Sequence, residues 1–151
     1  MSISEQTIFV TQDQGLLAHW RKALQLDGAL HLTTAEQVPL HLPGQAQTNS
    51  TAVWLDMESH PAPIWTDAAW IHLLGLPCKW IAASSSPSDA AGIEALDAGC
   101  SAYCHAYSDA ATLTQVQQVV TMGQIWIGKG LMQRLISAAN RVAPGAKDAA
   151  P

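Results

Sequence analysis

Apolar residues fall along this chain in two rhythms: short runs rich in β-branched and aromatic side chains, and longer stretches in which they recur at helical spacing. Thr7 to Thr11 is the first short run and reads as a strand, with Gln12-Asp13-Gln14-Gly15 as the turn behind it. Leu16, Leu17, Trp20, Ala23 and Leu24 then mark a helix that Gly28 is placed to stop. Ala29 to Thr33 is a weaker strand, and the stretch Thr34 to Ser50, broken by Pro39, Pro43 and Gly44, predicts a short or irregular helix. Ala52 to Leu55 is the most apolar short run and should be the central buried strand, with Asp56 directly after it.

The alternation continues to the end of the chain. Ile64 to Leu74 has a helical pattern that ends at Gly75, and Trp80 to Ala83 reads as the fourth strand. Ser88 can cap a helix running to Ala98, with Gly99 as its stop. Ser101 to Cys104 is a fifth strand, and Asp109 to Met122 a helix with Leu113, Val116, Val119 and Val120 on its apolar side. A last helix is expected from Lys129 to Arg141, before a small, polar and disordered tail over 143–151. These β-α repeats imply an α/β domain with a five-stranded parallel sheet, doubly wound, plus an extra C-terminal helix. A carboxylate just past a strand of such a sheet lies where open α/β folds place their sites, which singles out Asp13 and Asp56.

Composition narrows the functions available. The 151 residues, 48% hydrophobic, suffice for one core and one domain. A net charge of −5, from 12 acidic and 7 basic residues, argues against direct nucleic-acid binding. No apolar run approaches the ~20 residues a membrane span needs, and the N-terminus lacks a basic segment followed by an apolar one, so a cytoplasmic location is expected. Cys78, Cys100 and Cys104 are an odd set without C-x-x-C spacing and read as reduced thiols. A soft-metal site from Cys100, Cys104 and His105 would lack a second ligand pair. A hydrolase built on Ser84 would lack the G-x-S-x-G elbow. Trp20, Trp54, Trp65, Trp70, Trp80 and Trp126 should mostly pack in the core, with some left as anchors for a partner.

Glu94-Ala-Leu-Asp-Ala-Gly-Cys-Ser-Ala-Tyr103 is similar to an A-L-x-A-G-A-x-G-Y segment, and Gly123-Gln-Ile-Trp126 with Leu131-Met-Gln-Arg-Leu135 to a G-x-x-W followed by a leucine-rich helix. In that order, over roughly residues 5–140, they resemble the receiver domain of two-component response regulators of the LuxR or NarL type. The resemblance implies a flavodoxin-like receiver fold over residues 1–128 and a linker or dimerisation helix over 129–142. It makes Asp56 the candidate phosphoacceptor and Ser84 and Tyr103 the candidate switch pair. A weak Mg2+ site would draw on Asp13, Asp56, the backbone carbonyl of Glu58 and, least, Gln12, hard oxygen donors that suit that cation. The chain departs from the pattern at Gln12, an amide where the family has a carboxylate, and at Ala106, where the family has a phosphoryl-pairing lysine. Charge-assisted bonds of the lost kind are each worth about 1.5–3 kcal/mol.

The resemblance therefore implies an atypical receiver, not an enzyme, that regulates a histidine kinase or a downstream effector through its helices at Ser88–Ala98 and Asp109–Met122, with phosphorylation at Asp56. The alternative is a phosphorylation-independent pseudo-receiver serving as scaffold or small-ligand module, and a small α/β enzyme using the same carboxylates is a distant third. Leu131, Leu135 and Ile136 give the last helix an apolar side suited to a homodimer. The family continues into a DNA-binding domain, so the chain is read either as a single-domain protein or as the receiver part of a longer one.

Overall fold

The computed structural model describes residues 6–42, 51–59 and 62–149, with the backbone alone from 141 onward. Six strands, β1 (Gln6–Val10), β2 (Leu30–Leu32), β3 (Thr51–Asp56), β4 (Lys79–Ser84), β5 (Ala102–His105) and β6 (Trp126–Ile127), pair in parallel in the order β2-β1-β3-β4-β5-β6. The helices are α1 (Gln14–Leu24), α2 (Ala68–Leu74), α3 (Asp89–Ala98), α4 (Ala110–Thr121) and α5 (Lys129–Ala149), with a 3-10 helix over Ala35–His41. The sixth strand corrects the expected five. After Gly123, whose φ of 86° suits glycine, the chain returns to the sheet and Trp126 pairs with Ala102.

Strand alternation divides the core in two. Ile8, Val10, Val53, Leu55, Trp80, Ala82 and Tyr103 face the 3-10 helix, α2, α3 and Leu131 of α5. Phe9, Ala52, Trp54, Ile81, Ala83 and Cys104 face α1 and α4 through Leu16, Leu17, Trp20, Leu113, Val116 and Val120. β3 is buried along its whole length, as a central parallel strand covered on both faces must be.

Several helix boundaries differ from the sequence reading for local reasons. α1 stops at Gln25, whose left-handed backbone (φ 57°) lets its N–H reach the carbonyls of Arg21 and Lys22, so Gly28 is not the stop. α2 begins only at Ala68, because Ile64 to Asp67 close a separate turn through Asp67 N–H to the Ile64 carbonyl at 2.9 Å. α3 follows the expectation, with Ser88 accepting from Ala91 N–H and Gly99 (φ 123°) closing it. The backbone of α5 continues to Ala149, past Arg141, whereas the sequence predicted an unstructured 143–151. Residues 43–50, within the stretch expected as an irregular helix, lie outside the described residues, as do the last two of the expected tail.

All three cysteines are buried free thiols, and Cys100 and Cys104 belong to opposite faces of the sheet, which removes the cluster geometry a shared metal would need. Burial pushes each thiol from 9.0 up to about 12. The unfolded chain therefore loses these protons near pH 9 while the folded chain keeps them, so stability present below pH 9 should be lost as pH rises from there towards 12. Urea titrations at pH 8 and 10 should show the decline, and a thiol reagent at pH 8 should label the native protein only as fast as it unfolds.

A candidate acidic site at the carboxyl edge of the sheet

Asp56 ends β3 and is 6% exposed, because the chain must deliver its carboxylate from a fully buried strand. Its oxygens are bonded within the protein. Thr11 donates its hydroxyl to Oδ2 at 2.7 Å, and the Glu58 N–H donates to Oδ1 at 3.0 Å. Thr11 was not singled out by the sequence, where it reads as the last β-branched residue of a strand. Its position is legible only from the register, which pairs Val10 with Leu55 and so sets the next residue of each strand side by side.

Asp13 stands at the N-cap of α1. Its Oδ1 caps α1, accepting from Gly15 N–H at 2.8 Å and Leu16 N–H at 3.2 Å, while Tyr107 donates its hydroxyl to Oδ2 at 3.5 Å. Tyr107 is a second residue the sequence did not reveal. It is exposed beside His19, with ring centroids 5.3 Å apart. Desolvation, then the carboxylates of Asp13 and Asp56, push its hydroxyl pKa upward, so it stays a neutral donor at the mouth of the site. Gln12 lies to the side, its amide donating to the Thr33 carbonyl at 3.2 Å.

Glu58 supplies the largest surprise. Instead of only offering its backbone carbonyl, it reaches across to β4 with its carboxylate. Ser84 donates its hydroxyl to Oε2 at 2.8 Å, and Ser85 donates its N–H at 2.8 Å and its hydroxyl at 3.1 Å to Oε1. Ser84 in turn accepts from Ser86 N–H at 3.0 Å, so its hydroxyl is bonded as donor and acceptor.

Tyr103 sits inward at 5% exposure, its hydroxyl accepting from Ser88 N–H at 2.9 Å. Ala106 is fully buried in the α1/α4 half of the core, and its carbonyl accepts the Trp20 indole N–H at 2.9 Å. Neither nearby cation candidate replaces the missing lysine. Lys79 is paired with Ala52, four positions down the strands from Asp56 or about 13 Å. His105 is exposed and uses Nδ1 to accept from Tyr107 N–H.

Two of the carboxylates that the resemblance assigns to Mg2+, Asp13 and Asp56, are hydrogen-bonded within the protein. Asp13 Oδ1 caps α1, the Gln12 amide donates to the Thr33 carbonyl just past β2, and Glu58, expected to offer its backbone carbonyl, turns its side chain to the serines. Among the described residues, no three His, Cys, Asp or Glu side chains gather to hold a metal. What the arrangement does chemically is fasten three loop ends together, β1 to β3 through Thr11 and Asp56, and β3 to β4 through Glu58. Thr11→Val keeps the shape but leaves Asp56 Oδ2 and the Asp13 N–H, 3.0 Å from the hydroxyl, without that partner. It should destabilise the protein by about 1.5–3 kcal/mol in urea unfolding, with Thr11→Ser close to wild type.

The six tryptophans are all buried or partly buried, so none stands out from the surface as an anchor. Leu131 is buried against Tyr103 and Gly92, and Leu135 packs on the same half of the core, so two of the three residues expected to form a dimer face are covered by the domain itself. Ile136 remains 52% exposed.

No family model and no curated relative matches the chain. Solved structures do. A LuxR-family two-component response regulator from an Aurantimonas species superposes with a TM-score of 0.69 at 17% identity, over 93% of this chain and 99% of that one. The signal receiver domain of NarL from Mycobacterium tuberculosis gives 0.62 at 16%, over 82% and 100%. The isolated receiver of RcsB from Salmonella enterica serovar Typhimurium, solved with the phosphomimetic BeF3-, gives 0.62 at 12%, over 87% and 98%. With its parallel sheet, its helices on both faces and an aspartate ending the central strand, the chain has the flavodoxin-like fold of response-regulator receiver domains.

Proposed function

We propose that this chain is an atypical receiver-fold signalling module that regulates a protein partner by surface contact, without phosphoryl transfer at Asp56. The observation that carries this reading is the closed state of the pocket. Asp56 is bonded to Thr11 and to the Glu58 N–H, Ser84 is bonded to Glu58, and the position where the family has its lysine is a fully buried alanine. Phosphorylation would require those bonds to be exchanged with neither a gathered metal site nor a cation to neutralise the charge that builds up. The module is not an enzyme on this reading, since the Ser84 hydroxyl is held by Glu58.

The partner is a downstream effector protein rather than nucleic acid or membrane. The net charge of −5 opposes the former, and no helix among the described residues is long and apolar enough to cross the latter. Exposed apolar side chains suited to contact are Ile93 on α3, Met122 and Ile125 beyond α4, and Met132 and Ile136 on α5. A second copy of the chain would use the last two, since Leu131 is covered. The test is intact-mass spectrometry after incubation with acetyl phosphate and Mg2+. The expected spectrum is that of the unmodified protein, and a phosphoryl adduct absent from Asp56→Asn would return Asp56 to the role of phosphoacceptor.

A further inference from the structure

The loop between β4 and α3 is held at both ends by side chains from other strands. At its start Ser84 and Ser85 give three donors to the Glu58 carboxylate. At its end the Ser88 N–H, one residue before α3, donates to the Tyr103 hydroxyl. The Tyr103 ring and the Leu131 side chain meet over Gly92, where there is no room for a Cβ. A methyl there would lie 2.7 Å from Tyr103 Cδ2 and 2.9 Å from Leu131 Cδ2. Arg134, one turn along α5 from Leu131, forms an ion pair with Asp89, the first residue of α3. A continuous path of contacts therefore leads from Glu58 through the serine loop and Tyr103 to the docked α5.

We infer that the Glu58 carboxylate is a built-in anion that locks this path, fixing Tyr103 inward and α5 on the domain without any external phosphate. Three properties single out Glu58. It is the only anion that the described hydrogen bonds bring to the Ser84–Ser85 donors. Its own N–H ties it to Asp56, so it is positioned by the end of the central strand. It is also exposed, so the lock can be released without breaking the core. Released, the serine donors lose their shared acceptor, the register of Ser88 against Tyr103 loosens, and α5 loses the wall on which Leu131 rests. Coupling of this kind is a statement about two arrangements of one connected element, and it must be read at both ends.

The inference rests on the reading of the pocket as internally closed, and its test separates the two. Amide hydrogen exchange is measured for wild type, Glu58→Gln and Glu58→Ala at one pH, following Ser85 and the α5 amides from Leu131 to Asn140. The expected result is exchange at Ser85 faster by tenfold or more in Glu58→Ala, exchange in α5 faster by several-fold, and an intermediate effect for Glu58→Gln, which keeps one acceptor oxygen. Unchanged Ser85 would show that Glu58 does not hold the loop. Faster Ser85 with unchanged α5 would show that the lock is local and the path uncoupled, and either result overturns the proposal. If Glu58→Ala unfolds, the comparison of wild type with Glu58→Gln carries the same decision. Phosphorylation of the wild type by acetyl phosphate would overturn the closed-pocket reading without altering these rates.

Discussion

Trp20→Ala should lower the unfolding free energy by about 3–5 kcal/mol, the loss typical of emptying a large aromatic site in a packed core. Trp20 is fully buried, with its ring centroid 5.4 Å from that of Phe9 and 5.7 Å from that of Trp54. It also joins α1 to the loop after β5, because its indole N–H donates to the Ala106 carbonyl. Trp20→Phe separates the two contributions. It keeps most of the packing and leaves that buried carbonyl without its donor, for an expected loss of about 1–3 kcal/mol. Urea unfolding of both variants checks the order. A loss below about 1 kcal/mol for Trp20→Ala would mean that the α1/α4 half of the core is not packed as described.

The second large effect is counter-intuitive from sequence alone. Restoring the lysine that the family places at Ala106 reads as a repair of the site, yet Ala106→Lys should destabilise the protein by about 2 kcal/mol or more. The side chain of Ala106 has no exposed surface and lies in the cluster containing Trp20 and Leu113. Four methylenes forced into that space cost about 1–3 kcal/mol, and an ammonium left without a partner among apolar groups adds to it. Thermal or urea unfolding decides. Unchanged or increased stability would mean that the lysine finds a path to Asp56 and that the pocket can accept the family's cation.

Most of the architecture was legible because the strands are short, apolar and separated by helical periodicities, and because Ser88 and Gly99 are unambiguous helix signals. β6 was not, since two residues of strand leave no periodicity to read. The end of α1 at Gln25 was hidden because a left-handed non-glycine residue has no sequence signature of its own. At the site, Asp56 and Ser84 stand at the expected strand ends, but the pattern could not assign their partners. The sequence reading gives Asp13 only as a metal ligand, and its cap on α1 through Gly15 and Leu16 N–H is an additional role that this reading did not weigh. Glu58 entered the sequence argument only for its backbone, because a side chain crossing from one loop to the next is set by tertiary distance. Thr11 and Tyr107 were missed for the same reason.

The most direct measurement is an amide NMR titration of the wild-type protein with Mg2+ and then with Mg2+ plus beryllofluoride, following Thr11, Asp13, Glu58, Ser84, Ser85 and Tyr103. A pocket closed by its own side chains predicts no saturable shift at these amides at millimolar ligand. Saturable shifts that start at Asp56 and Ser84, reach Tyr103 and vanish in Asp56→Asn would contradict the account and establish a working phosphoryl switch.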